Sequence, residues 1–96
     1  MKYKFKEMSF NSLNTFLNAL ELMNNVLKEL KRTKNKDTLN QYCKDGLKEV
    51  KKILNYCENL PKSKILKDDE LKEITPLIDK TKKKALFIQS KLIKYA

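Results

Sequence analysis

The sequence predicts an all-α protein: an antiparallel up-down-up bundle of three helices, or of four if Pro76 splits the third segment. Three observations predict it. Apolar residues recur at alternating spacings of three and four through three long segments, the signature of helices that bury one stripe. One Gly and two Pro among 96 residues are too few for a β-sandwich or barrel, folds that need a turn residue about every 8–12 positions. The hydrophobic 41% and the charged 35% are interleaved, so the chain has a core to bury and does not read as a disordered tail. At this length it is one domain, residues 1–96, with residues 1–8 as an N-terminal arm.

In the first segment Leu13, Phe16, Leu20, Met23, Leu27 and Leu30 form an a/d seam, widened by Leu17 and Val26. Ser9 or Asn11 is the expected cap. Lys28, Lys31 and Arg32 suit the negative end of the helix dipole, so the helix should fade near Thr33.

The second segment should open at Asp37 or Thr38 as N-cap. Its seam is Leu39, Cys43, Gly46, Val50, Ile53, Cys57 and Leu60, flanked by Leu47 and Leu54. Gly46 on that seam costs about 1 kcal/mol against Ala in helix propensity. Close approach of a neighbouring helix would compensate; a tolerated defect is the alternative. Pro61 disfavours the helical conformation at Leu60 and ends the segment.

A polar connector around Lys62 to Lys67 leads to Asp68 and Asp69, a cap with acids in the first turn. Leu71, Ile74, Ile78, Thr81, Ala85, Ile88, Leu92 and Tyr95 then carry the alternation to the last residues. Because the phase is unbroken across Pro76, one kinked helix is preferred over a short helix followed by a new one at Thr75-Pro76.

Little in the chain can do chemistry, and the protein reads as non-enzymatic, with no catalytic residue, cofactor or metal assigned. Without His, the usual general base near neutral pH is missing and Ser or Cys has no obvious activator. A Cys43 thiolate beside Lys44 or Lys48 is conceivable, but a core-facing cysteine is inert. If Cys43 and Cys57 share a helix they lie about 21 Å apart, too far for a disulfide, which needs Cα atoms within about 7 Å. Two buried thiols fit a reducing compartment. The acidic cluster Asp68, Asp69, Glu70 and Glu73 has the oxygen ligands Mg²⁺ takes, yet helix capping explains it more simply.

The formal charge of +10 favours polyanionic partners. Of 22 basic residues only Arg32 is Arg, which argues against base-specific readout by planar guanidinium forks. Lys80, Lys83, Lys84, Lys91 and Lys94 fall on one side of the third helix. They are the candidate polyanion patch, for nucleic acid above all, by largely non-specific phosphate contacts. In the arm, Lys2-Tyr3-Lys4-Phe5-Lys6 alternates basic and aromatic side chains, so Tyr3 and Phe5 are candidate contacts for bases or a sheet edge. Covering one end of the bundle is their plainer role.

The first helix carries a different surface. Asn11, Asn14, Thr15, Asn18, Leu22 and Asn25 lie opposite its seam, and between Met8 and Leu27 the only charge is Glu21. Interface cores are depleted in charge because an unpaired charge is expensive to desolvate, whereas an amide exchanges water for protein hydrogen bonds. This face is the candidate site for self-association or for another protein. The expected function is therefore protein binding of the inhibitor, immunity, adaptor or chaperone type, as in small bacterial or phage proteins. The alternative is a Lys-rich nucleic-acid binder. No segment reads as a secretory signal or a membrane span, and the apolar stripes are committed to one another rather than to a bilayer surface. The expected location is cytoplasmic.

Overall fold

The computed structural model describes residues 5–96 and contains three helices: α1 (Phe5–Arg32), α2 (Lys36–Asn59) and α3 (Asp68–Ile93). Among the described residues there is no strand. All three helices pack on one another, α3 more closely on both neighbours than they pack together. The molecule measures 51 × 21 × 19 Å.

Several ends differ from the sequence expectation. α1 runs unbroken from Phe5 through Ser9 and Asn11, so neither of these caps it, and Ser9 is buried instead. Half of the expected arm is thereby helix. α2 is capped by Asn35, not by Asp37 or Thr38. The Asn35 side-chain oxygen accepts from the Thr38 amide at 3.1 Å, the bond an N-cap makes. At α3, Lys67 precedes the first turn, and its amide donates to Glu70 Oε1 at 3.0 Å. The acids Asp68, Asp69 and Glu70 follow, where they complement the helix dipole.

α3 continues through Pro76 as a single helix, so no fourth helix forms among the described residues. Pro76 lacks the amide that would bond the Lys72 carbonyl. The position is exposed, and there water can take that carbonyl.

Cross-helix contacts define the directions. Lys6 pairs with Glu73 at 2.9 Å, Glu21 with Lys84, and Lys91 donates to Asn24 at 2.9 Å. Residue numbers therefore rise together along α1 and α3. Between α2 and α3 they run oppositely: Asn40 donates to the Tyr95 carbonyl at 2.8 Å, Gly46 meets Leu92, and Glu58 meets Lys82 at 3.5 Å. This pattern is compatible with an up-down-up arrangement.

The core is the union of the three seams. Leu13, Leu20, Leu27, Cys43, Val50, Ile53, Cys57, Ile74, Ile78, Ala85, Ile88 and Leu92 are buried, and Thr81 joins them by donating its hydroxyl to the Leu77 carbonyl at 2.8 Å. Phe16, Met23 and Leu30 stay half-buried, since they sit on the α2-facing edge of α1 where packing is loosest. Leu66 adds a core contact from within the connector. That connector is not purely polar: Lys64 takes a left-handed turn at φ 59° that returns the chain so that Leu66 can reach the core.

Candidate interaction surface

The α1 face is exposed along its length. Asn11, Asn14, Thr15, Asn18, Leu22 and Asn25 all lie in solvent, and Leu22 is 63% exposed. Thr15 turns its hydroxyl back to the Asn11 carbonyl at 2.8 Å. Among the described residues, no hydrogen bond forms to the side-chain amide of Asn11, Asn14, Asn18 or Asn25. Each amide thus keeps two donors and an acceptor oxygen available to a partner. The nearby Glu21 is occupied by Lys84, which holds its carboxyl below the usual range by hydrogen bonding and charge.

The face is flanked by two different depressions. Leu22 borders an open groove of about 510 Å³ between α1 and α2, with Ala19, Met23, Tyr42 and Gly46 at its floor and sides. Asn14 lies on the opposite flank, in a depression toward α3 with Phe10, Pro76, Leu77 and Lys80. The groove exists because α1 and α2 are the pair that packs least closely. Elsewhere between the same two helices Phe16 and Tyr56 make an edge-to-face contact, ring centroids 5.1 Å apart. On the α2 rim of the groove the charges alternate: Asp45, Lys48, Glu49, Lys52. Tyr42 and Gly46 were not singled out for this surface by sequence, although Tyr42 precedes Gly46 by one helical turn.

The lysine patch of α3 is divided. Lys80, Lys83 and Lys94 are exposed, while Lys84 is tied to Glu21 and Lys91 to Asn24. Two of the five side chains therefore serve first to bind α3 to α1. Phe87, 54% exposed, stands among them with the Lys91 ammonium 4.4 Å from its ring centroid. Phe87 was legible from spacing, being four residues from both Lys83 and Lys91. Leu86 and Ile93 are also exposed on this half of α3.

Of the arm, Tyr3 lies outside the described residues and Phe5 is the first helical residue, 44% exposed. Cys43 and Cys57 are buried, free thiols, and burial pushes both above the usual thiol range. Lys44 and Lys48 are exposed while Cys43 is buried, so neither is paired with that thiol, and the charge of Lys31 only partly opposes the effect of burial. In the acidic cluster Glu73 pairs with Lys6 and Glu70 takes the Lys67 amide. Among the described residues no group of acids, cysteines or histidines is arranged to hold a metal ion. Nor is any described helix long and apolar enough to cross a membrane.

Comparison with known protein families, curated proteins and solved structures gave no match.

Proposed function

We propose that this protein is non-enzymatic and works by binding another protein chain through the outer face of α1, in the manner of a small inhibitor, immunity, adaptor or chaperone protein. One observation carries the reading. In a chain of net charge +10, the face bearing Asn11, Asn18, Leu22 and Asn25 is uncharged and solvent-exposed, with its amides free of internal partners. Desolvating such a face requires no charge to be neutralised, and the apolar Leu22 beside a groove supplies an anchor. The test is the double substitution Asn14→Lys and Asn18→Lys. It should abolish self-association or partner binding while leaving the far-ultraviolet circular dichroism spectrum intact; unchanged association rejects the reading.

A second reading, polyanion contact through α3, is favoured by one feature: Lys80, Lys83 and Lys94 are exposed around Phe87. A ring among ammonium groups suits a single strand, with phosphates on the lysines and a base stacked on the aromatic face. Retention of DNA and RNA at two salt concentrations separates the two. Binding that vanishes near physiological salt indicates bulk charge alone.

A further inference from the structure

We propose that the occupant of the α1–α2 groove is a second copy of this chain, docked about a two-fold axis that lays α1 antiparallel on its copy and α2 antiparallel on its copy. The proposal rests on the reading of α1 as the binding face and names its partner. Three observations converge on it.

The first is a second stripe on α1. Met8, Ser12, Thr15, Ala19, Leu22 and Val26 repeat at four-three-four-three-four, beside the seam that faces the core. Small residues occupy its middle, which lets two helix axes approach closely, and Leu22 and Met8 stand exposed on it at 63% and 54%. Asn11, Asn18 and Asn25 follow the same edge at intervals of seven. An amide carries both donor and acceptor, so a row of amides is complementary to its own copy.

The second is charge. Two chains of +10 repel one another at most orientations. α1 offers a contact region whose single charge, Glu21, is already paired with Lys84. The α2 rim offers the complement of itself. Reversing the order Asp45, Lys48, Glu49, Lys52 about its midpoint sets Asp45 against the copy's Lys52 and Lys48 against the copy's Glu49. Every juxtaposition is of opposite sign. In one chain Lys52 reaches its own Glu49 at 3.3 Å, an exposed pair that is easily exchanged.

The third is register. Leu22 lines the same groove as Lys48 and Glu49, so the midpoint of the α2 rim and the exposed leucine of α1 stand at one level of the bundle. A single axis passes both. It puts Leu22 on its copy, Asn18 beside the copy's Asn25, and both leucines in the mouth of the groove formed by Ala19, Met23, Tyr42 and Gly46. The result is a four-helix interface in which each helix is antiparallel to its two neighbours, a closed and isologous contact.

Sedimentation equilibrium from micromolar to millimolar concentration tests this on the whole chain. The wild type should pass from monomer to dimer, and Leu22→Lys should raise the dimer dissociation constant about tenfold or more. Asp45→Lys and Lys52→Asp should each weaken the dimer, and the two together should restore it to within about threefold of wild type, because each changed charge then meets its opposite on the copy, while within one chain the two positions lie about 10 Å apart. Leu22→Cys should cross-link to its copy under mild oxidation while Lys80→Cys does not. All these positions are exposed, so the variants should melt close to wild type, which a thermal unfolding curve of each one checks. A wild type that stays monomeric at every concentration overturns the second-copy assignment and leaves α1 standing as a surface for a different protein. A dimer indifferent to Leu22→Lys but broken by Lys83→Glu overturns the second copy on α1 and the reading of α1 together.

Discussion

The outer faces of α1 and α3 belong to one bundle and one basic chain, yet they dispose of their polar groups in opposite ways. On α3, Lys84 and Lys91 reach back to Glu21 and Asn24, so part of the conspicuous positive patch fastens the helix to its neighbour. On the outer face of α1, Asn11, Asn14, Asn18 and Asn25 find no side-chain partner among the described residues, and Leu22 is left 63% exposed. Density of charge along a helix therefore does not tell which side chains the fold leaves unengaged. What distinguishes the faces is which side chains the fold has already engaged. The interior repeats the contrast: α3 presses Leu92 against Gly46, whereas α1 stands off from α2 and leaves a groove.

The largest expected effect lies where α3 is tightest. Leu92 is fully buried against Gly46, so Leu92→Ala should lower stability by about 2–5 kcal/mol. On the loose side Leu22→Ala should change it by less than about 0.5 kcal/mol. Urea unfolding of the two variants checks both; equal losses would erase the distinction between a packed and an open side.

Gly46 sharpens the same point with a smaller effect. A Cβ there would stand 3.1 Å from a methyl of Leu92, close enough that the leucine must shift. Gly46→Ala gains about 1 kcal/mol of helix propensity and spends most of it on that crowding, so its net change should stay below about 1 kcal/mol. Gly46→Val should cost about 1–3 kcal/mol by overpacking. A stabilising Gly46→Val would show that α3 is not pressed against the glycine.

The thiols report on opening rather than on equilibrium stability. With Cys43 and Cys57 buried and their ionisation suppressed by burial, a thiol-specific chromogenic disulfide should react only as fast as the protein opens. Immediate labelling of either cysteine in the native protein would contradict the core assigned to α2.

The smallest effect concerns the clasp between the two outer faces. Glu21 has its carboxyl held below the usual range by Lys84. A depressed folded value means that the contribution is present above the unfolded carboxyl range and is lost as pH falls through the folded value. Glu21→Gln should therefore melt slightly below wild type near neutral pH, with the two curves converging in acid. A gap that persists in acid would assign the effect to something other than the ion pair.

How much of this was legible in sequence follows from what each feature depends on. The seams were legible because burial repeats with helical period: Leu13, Leu20 and Leu27, Val50 and Cys57, and Ile74, Ile78, Ala85 and Leu92 all lie in the core where spacing placed them. Helix ends were not, because capping competes among neighbouring polar residues. Asn35, Asp37 and Thr38 all belong to residue types that cap helices, and the chain takes Asn35. Leu66 was hidden in a lysine-rich connector, since reaching the core needed the left-handed turn at Lys64, which no pattern announces. The exposure of the α1 face followed from periodicity alone. The two depressions that flank it did not, because they depend on how closely each pair of helices packs. The same limit explains why Tyr42 and Gly46 entered the surface only with the structure.

The central claim is that partners meet this protein on α1 and the adjoining groove, not on the lysines of α3. Amide chemical shifts followed by NMR across a concentration series test it most directly. Shifts should concentrate at Thr15, Asn18, Ala19, Leu22, Tyr42 and Lys48, leaving Lys80, Lys83 and Lys94 still. Movement confined to those three lysines and Phe87 would contradict it, whereas no movement at any concentration would overturn the second copy alone.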